Sequence, residues 1–197
     1  MKTLNIPVSQ AALILIDVWS DHYINSWLHR ASEITQSKIV PILSAARNIG
    51  LTIIHAPSPR VVETRHPDVM SPPPASGPND PNEWPPREFI AKASAPHPDE
   101  PIIANGDQLH KLLAKRRILH LFYAGFATNW CVIGRDYGMI ALHNKGYNNI
   151  LIRDATTGVE FHDTVNDLTA TEIAIREIET KYAWSTTTAD FVTASTT

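Results

Sequence analysis

The sequence lacks the features that mark several large classes of protein. It contains a single cysteine, Cys131, so no disulfide can form within the chain. A formal net charge of −3 and a pI near 6.3 give no electrostatic reason to expect nucleic acid or an anionic membrane as a partner. The longest apolar stretch near the N-terminus, residues 11–16, is far too short to cross a bilayer or to serve as the core of a signal peptide. We therefore expect a cytoplasmic protein with one globular domain over residues 1–197.

The nine histidines also lack the spacing of a metal site. No two of them stand four residues apart with an acid between them, and no C-x-x-C pair is present to complete a ligand set. His55 falls near the end of a predicted strand, where we interpret it as a hydrogen-bonded strand-end residue rather than a ligand. The sequence therefore predicts no metal and no other cofactor.

Short apolar runs that alternate with helical patterns indicate the fold. Such runs are typical of strands buried on both faces of a parallel sheet. One helical pattern contains Pro41, which should bend the helix or start a second one. The alternation predicts an α/β fold: a doubly wound six-stranded parallel sheet flanked by helices, in a Rossmann-type three-layer arrangement. The predicted strands are 11–18, 51–56, 101–104, 119–124, 149–153 and 183–187, and the predicted helices are 32–48, 105–116, 128–141 and 163–182.

Residues 57–101 differ from the rest of the chain because they hold 13 of its 15 prolines. Proline fixes φ and has no N–H to donate, so neither a strand ladder nor a long helix is expected there. A loop of this length within a compact domain is usually a lid, a binding loop or a subunit contact. We expect a proline-rich loop excursion from the domain, from which a cation such as Arg60 could reach a substrate.

Cys131 stands where a predicted strand gives way to a helix. Gly125 ends the strand, and Thr128 or Asn129 is placed to cap the helix, so the cysteine falls in the first helical turn. Free backbone N–H groups and the positive end of the helix dipole favour a thiolate there, the form that attacks carbonyl carbon. The alternative is that Cys131 is a small buried hydrophobe, the commoner role of a free cysteine.

Asp17 lies at the C-terminal end of the first predicted strand. Ligands of open α/β sheets bind beyond the carboxyl ends of the strands, so an acid there is placed for chemistry; its alternative role is to cap a turn. Aromatic residues that follow Asp17 or adjoin Cys131 are interpreted as pocket walls, with the core, or for Trp130 a subunit contact, as alternatives. The predicted substrate-pocket residues are Trp19, Tyr23, Asn105, Phe126 and Trp130.

Four segments of the chain together resemble a known family. They are AALILIDV, which contains Asp17, then GFATNWCV around Cys131, then RDYGMIALHNKGY, and finally RDATTG. In this order they resemble the isochorismatase-like cysteine hydrolases, the superfamily of nicotinamidases, N-carbamoylsarcosine amidases and ureidoacrylate amidases. The resemblance covers nearly the whole chain, and the G-x-x-T-x-x-C-V element is far more specific than a lone glycine motif.

The resemblance implies both a mechanism and an assembly. It implies homo-oligomers, either dimers or tetramers, and amide hydrolysis through a thioester by an Asp, Lys, Cys triad. Cys131 would be the nucleophile and Asp17 the base that takes its proton. The backbone N–H groups of Ala127 and Cys131 would form the oxyanion hole, next to a cis peptide bond between Phe126 and Ala127.

The lysine of that triad does not carry over. The family lysine ends the strand that precedes the cysteine strand, where this chain has Ala104 and Asn105. Lys92 lies upstream and is one possible substitute, and Arg60 is another. The remaining alternatives are an enzyme that works without the cation and a chain that has lost activity.

Two functions follow from these observations. The first is cysteine-dependent hydrolysis of a small amide, carbamoyl or ureido compound at a non-peptide C–N bond. The second is a non-catalytic relative that keeps the fold as a binding or assembly module. Hydrolysis of an isochorismate-like vinyl ether is a further variant, which in the family uses the acid and not the cysteine.

Overall fold

A parallel sheet of five strands forms the centre of the structure, a computed structural model that describes residues 3–20, 22, 24–65 and 92–196. Within these residues the strands lie in the order β2-β1-β3-β4-β5, and each neighbouring pair is parallel. The chain runs outward from β1 to β2 and then crosses to β3 on the other side, which makes the sheet doubly wound. The strands are β1 Ala11–Ile16, β2 Thr52–Ala56, β3 His120–Phe126, β4 Asn148–Thr157 and β5 Ala183–Thr186.

The predicted fold class is confirmed, but the predicted strand number is wrong for the described residues. Segment 101–104 forms an isolated parallel bridge, in which Ile102 is the partner of His55. The His55 N–H donates to the Pro101 carbonyl at 2.9 Å, and the Ile103 N–H donates to the His55 carbonyl at 2.9 Å. The pairing extends no further because Pro101 has no N–H to donate and Asn105 already caps the next helix.

Helices cover both faces of the sheet and produce the predicted three layers. Along β1, Leu13 and Leu15 belong to one core cluster, whereas Ile14 and Ile16 belong to the other, because successive side chains of a strand point to opposite faces. The first cluster packs beneath α1, α2 and α7, and the second beneath α4, α5 and α6. The described helices are all too short or too polar to span a bilayer. They are α1 Asn25–Ile34, α2 Val40–Asn48, α3 Pro59–Arg65, α4 Gly106–Arg116, α5 Met139–Asn144, α6 Thr169–Lys181 and α7 Thr188–Ala194.

The helix predicted over 32–48 begins earlier and changes geometry before Pro41. A π-helical segment, Thr35–Ile39, joins α1 to α2. Pro41 lies in the first turn of α2, where its missing N–H leaves no helical hydrogen bond unmade. The prediction that this proline starts a second helical piece is confirmed.

The C-terminal residues form helix α7, which the sequence analysis did not predict. Thr187 caps it, because its hydroxyl oxygen accepts a hydrogen bond from the Asp190 N–H at 3.1 Å. The Asp154 carboxylate accepts hydrogen bonds from the Thr188 N–H at 2.7 Å and from the Thr188 hydroxyl at 2.9 Å. Phe191 is buried, so α7 contributes to the core and is not a frayed tail.

The predicted excursion at 57–101 is described only at its two ends. Helix α3 follows β2 closely, and a short 3-10 turn, Lys92–Ser94, precedes the return to the sheet edge. Residues 66–91 lie outside the described residues.

Candidate active site

The carboxyl ends of β1 and β3 lie side by side and bring Asp17 to Cys131. Ile16, the last residue of β1, is the partner of Gly125 in β3. Gly125 has a φ of 114°, and a Cβ at this position would collide with the Ile16 carbonyl oxygen. Glycine therefore allows the two strands to approach closely at the edge where their polar residues emerge.

Asp17 is a buried carboxylate with few partners. Its side chain is 2% exposed, its backbone has a φ of 43°, and its N–H donates to the Ala56 carbonyl at 3.2 Å. Burial raises the pKa of Asp17, although hydrogen bonds from Cys131 and the Ser58 backbone and the positive charge of Arg135 act in the opposite direction. Its Oδ1 atom has no hydrogen-bond partner within the described part of the chain. The carboxylate therefore keeps an affinity for protons.

Cys131 lies in a π-helical segment, Thr128–Val132, and its side chain is half-buried. Burial and the adjacent Asp17 carboxylate together raise the pKa of the thiol to about 11, despite opposing contributions from Arg135 and from the Ala127 N–H. The predicted bias toward a thiolate is therefore wrong for the resting site. Burial has the largest effect on the thiol pKa, and together with the Asp17 carboxylate it outweighs the opposing effects of Arg135 and the Ala127 N–H.

The peptide bond between Phe126 and Ala127 is cis in the structure. The Ala127 N–H lies close enough to the Cys131 sulfur to lower the pKa of the thiol. This donor consequently lies within reach of any group that bonds to the sulfur, which is where an oxyanion would form.

Thr128 and Asn129 do not cap the segment that carries the cysteine. Ala127 precedes its first turn, and no side chain caps it. The Thr128 hydroxyl shares a 2.7 Å hydrogen bond with the Thr156 hydroxyl. The Asn129 side chain donates to the Val159 carbonyl at 3.0 Å and accepts from the Val159 N–H at 2.8 Å. Both side chains thus connect the segment that carries Cys131 to the end of β4 and the loop after it.

The helix predicted through 128–141 is interrupted a few residues after Cys131. The Gly138 N–H donates to the Arg135 carbonyl at 2.8 Å and closes a turn, after which α5 begins. The Tyr137 hydroxyl donates to the Pro57 carbonyl at 3.2 Å. The prediction of one continuous helix is wrong, because tertiary contacts of this kind override the helical pattern.

Arg135 is a cation beside Asp17 and was not among the predicted substitutes for the family lysine. Its Nη2 atom lies 3.6 Å from Asp17 Oδ2, and its positive charge lowers the pKa of the Cys131 thiol. Lys92 is exposed in a turn that packs against α2, and Arg60 is exposed on α3, so Arg135 and not Lys92 is the cation paired with Asp17. A signal for it was present in the sequence, because residues four apart on a helical segment share a face.

The predicted pocket aromatics form one cluster beside the site. The Trp19 ring centroid lies 5.5 Å from that of Phe126 and 4.9 Å from that of Trp27, which lies 5.6 Å from that of Trp130. Trp19, Trp27 and Phe126 are buried, whereas Trp130 is 49% exposed. Trp130 therefore presents a ring to solvent, and a pocket lined by this cluster stays a prediction. Tyr23 lies outside the described residues.

Asn105 is a helix cap. Its side-chain oxygen accepts a hydrogen bond from the Gln108 N–H at 2.9 Å at the start of α4. Its role as a pocket residue stays a prediction. The neighbouring Gly106 N–H donates to the Asp136 carboxylate at 2.7 Å, which joins α4 to the turn that carries Arg135.

A second buried ionic cluster lies at the outer edge of β2. Arg47 donates to both carboxylate oxygens of Glu100, at 2.7 and 2.9 Å, and His55 Nε2 lies 2.8 Å from Glu100 Oε2. The His97 N–H donates to the same oxygen at 3.0 Å. The interpretation of His55 as a hydrogen-bonded strand-end residue is confirmed.

The fold and the paired thiol and carboxylate define a class: a doubly wound α/β protein with a candidate nucleophile at the carboxyl edge of its sheet. A family model described as the isochorismatase domain matches residues 11–190. The chain therefore belongs to the isochorismatase family. No curated protein matches the sequence.

Several solved structures share the fold at low sequence identity. A cysteine hydrolase from Pseudomonas syringae pv. phaseolicola is 19% identical, with a TM-score of 0.71 over 98% of this chain and 96% of that one. An isochorismatase family protein from Burkholderia thailandensis is 22% identical, with a TM-score of 0.68 over 99% and 98% of the two chains. An isochorismatase-like hydrolase from Alkaliphilus metalliredigens is 18% identical, with a TM-score of 0.63 over 94% and 98%.

Proposed function

We propose that this protein is a cysteine hydrolase that cleaves a non-peptide C–N bond in a small amide, carbamoyl or ureido compound through a thioester. The observation that carries the proposal is the placement of the Cys131 thiol beside the buried Asp17 carboxyl group, at the adjoining carboxyl ends of β1 and β3, where each group influences the pKa of the other. It pairs a nucleophile with a base at the sheet edge where α/β proteins bind ligands. Membership of the isochorismatase family and the likeness to a cysteine hydrolase agree with this chemistry.

The attack begins from a neutral thiol. The raised pKa of Cys131, about 11, means that the proton stays on the sulfur near neutral pH. Asp17 is the base at the moment of attack, since burial raises its pKa and makes it a better proton acceptor. The sulfur bonds to the substrate carbonyl carbon as its proton moves to the carboxylate.

The negative charge then moves to the substrate oxygen. The Ala127 N–H, which contacts the sulfur, is one donor to that oxygen, and the Cys131 N–H is the second donor that the resemblance implies. As the C–N bond breaks, Asp17 returns its proton to the leaving amine or ammonia. Water next attacks the thioester and gives a proton to Asp17, and the released thiolate recovers that proton.

Two other functions would use less of this site. A non-catalytic binding or assembly module would require the fold but neither the thiol nor the base. Hydrolysis of an isochorismate-like vinyl ether would require the acid but not the cysteine. The pairing of Cys131 with Asp17 favours the cysteine hydrolase.

The test is ammonia or amine release from a panel of small primary amides, N-carbamoyl compounds and ureido compounds. We expect turnover by the wild type, none by Cys131→Ala, and an acyl adduct on Cys131 by intact mass spectrometry that hydroxylamine removes as a hydroxamate. The single cysteine makes the adduct unambiguous. Turnover that survives Cys131→Ala but not Asp17→Asn would point to acid-dependent chemistry. A folded protein with neither turnover nor adduct on the whole panel would contradict the proposal and favour the binding module.

A further inference from the structure

Arg135 lies beside both groups that take part in the proposed proton transfer. Its Nη2 atom lies 3.6 Å from Asp17 Oδ2, it stands four residues after Cys131, and its positive charge lowers the pKa of the Cys131 thiol. The Arg135 side chain is 32% exposed, whereas that of Asp17 is 2% exposed. The positive charge therefore lies at the more solvent-accessible side of a buried acid.

The turn that carries Arg135 is held by contacts on two sides. The Asp136 carboxylate accepts the Gly106 N–H at 2.7 Å, and the Tyr137 hydroxyl donates to the Pro57 carbonyl at 3.2 Å. A Cβ on Gly106 would collide with the Asp136 carbonyl oxygen, so this packing depends on glycine. The turn is thus fixed between α4 and the end of β2, and Arg135 is aimed at the site by the fold.

The charges around the thiol give this cation a function. Asp17 and Arg135 are the charged side chains that act on the Cys131 thiol, and Tyr137 is a further titratable side chain close to it. Burial raises the pKa of Tyr137, so its hydroxyl stays neutral. When the proton leaves the sulfur, the new negative charge has Arg135 as its neighbouring cation. An arginine remains protonated in such a place, whereas the pKa of a partly buried lysine shifts readily.

We infer that Arg135 is a catalytic residue that compensates the negative charge on the Cys131 sulfur during attack. It takes the place of the family lysine from a different part of the chain, because it belongs to the segment that follows Cys131 and not to the segment that ends at Ala104. As a statement about catalysis the inference rests on the proposed function, but its effect on the thiol can be measured without a substrate.

The experiment is the rate of alkylation of Cys131 as a function of pH, with iodoacetamide and with the anionic reagent iodoacetate. We expect Arg135→Met to react about tenfold more slowly below the thiol pKa, which corresponds to a rise of about one pKa unit. Its preference for iodoacetate over iodoacetamide should also fall, and Arg135→Lys should restore most of both effects. Arg153→Met is the matched control, since Arg153 is an exposed arginine paired with Glu179 at 3.4 Å.

If Arg135 had only a structural role, Arg135→Lys would not restore the alkylation rate and the reagent preference. Arg135→Gln is the second neutral variant in case the methionine variant does not fold, and circular dichroism establishes folding for each protein. Alkylation profiles that superimpose for the wild type and the folded neutral variant would overturn the inference. Arg135-dependent alkylation with no turnover on the amide panel would contradict only the substrate class. Cys131-dependent turnover that is equal in wild type and Arg135→Met would contradict only the role of Arg135.

Discussion

Asp17 and Glu100 are both buried carboxylates with an arginine beside them, yet their pKa values are shifted in opposite directions. Burial raises the pKa of Asp17. Burial would also raise that of Glu100, but hydrogen bonds from Arg47, His55 and the His97 backbone lower its pKa to about 2. Partners decide the outcome, since both side chains are buried.

The difference lies in how completely each carboxylate is hydrogen-bonded. Glu100 receives a two-pronged contact from Arg47 at 2.7 and 2.9 Å. Asp17 has its guanidinium contact at 3.6 Å, and its Oδ1 atom lacks a partner among the described residues. A fully bonded carboxylate is a structural anion, whereas an under-bonded one can accept a proton. Similar residue types therefore form an anion that is hydrogen-bonded on both oxygens in one cluster and the proposed catalytic base in the other.

Asp17→Asn tests the proposed role of Asp17 as a base and should produce the largest of the predicted effects. Asparagine tolerates the positive φ of this position, so the fold should persist. Without a base, turnover of any substrate found in the amide panel should fall by about 10³-fold. Alkylation should change in the opposite direction: the carboxylate raises the pKa of Cys131, so its removal should lower that pKa and speed alkylation near pH 8. Slower alkylation of the folded variant would contradict the assigned direction.

Glu100→Gln tests whether the Glu100 cluster stabilises the fold. It removes the anion from a buried cluster and leaves Arg47 without its charged partner, so the free energy of unfolding should fall by about 3 kcal/mol. Urea unfolding at pH 7 measures this change. Glu177→Gln is the matched control, because Glu177 forms an exposed i, i+4 pair with Lys181 at 3.0 Å and should change stability by less than about 0.5 kcal/mol. Similar losses in the two variants would show that the Glu100 cluster is not stabilising.

Acid should reduce the stability that the Glu100 cluster contributes. The pKa of Glu100 is about 2 in the folded protein and 4.5 in the unfolded reference, so the unfolded chain binds more protons between these values. Its contribution is present above about pH 4.5 and is lost as the pH falls toward 2, for a total of about 3 kcal/mol. Burial lowers the pKa of His55, which adds a loss that begins below its ordinary value of 6.5. The stability gap between wild type and Glu100→Gln should therefore narrow from about pH 4.5 to pH 3, and a constant gap over this range would contradict the prediction.

The framework of the site could be predicted from the sequence because its signals are local. Buried apolar runs indicated parallel strands, and parallel strands place their carboxyl ends on one edge. Asp17 and Cys131 could therefore be assigned to the same edge without any knowledge of contacts. The cap that begins α7 is also visible in the sequence, since Thr187 stands three residues before Asp190, the spacing of a helix cap and the N–H that it accepts from.

The contacts that distinguish the two carboxylates could not be predicted in the same way. Arg47 and Glu100 are 53 residues apart, and the proline-rich region lies between them. Arg135 lies in a turn where the helical pattern predicted an unbroken helix, and the turn exists because Tyr137 and Asp136 bond to distant parts of the chain. Packing between elements, which a single sequence does not encode locally, decides both.

Replacing Arg47 or Arg135 with lysine should distinguish the two arginines and should produce the smallest of the predicted effects. At position 47, lysine keeps the charge but loses the two-pronged contact with Glu100 and the 3.0 Å hydrogen bond to the Ala95 carbonyl, so unfolding should become easier by about 1–2 kcal/mol. At position 135, the contact with Asp17 is a single one at 3.6 Å and Nε has no partner among the described residues. Lysine there should change the free energy of unfolding by less than about 1 kcal/mol. Urea unfolding of both variants measures the difference, and equal costs would mean that Arg135, like Arg47, is held primarily for stability.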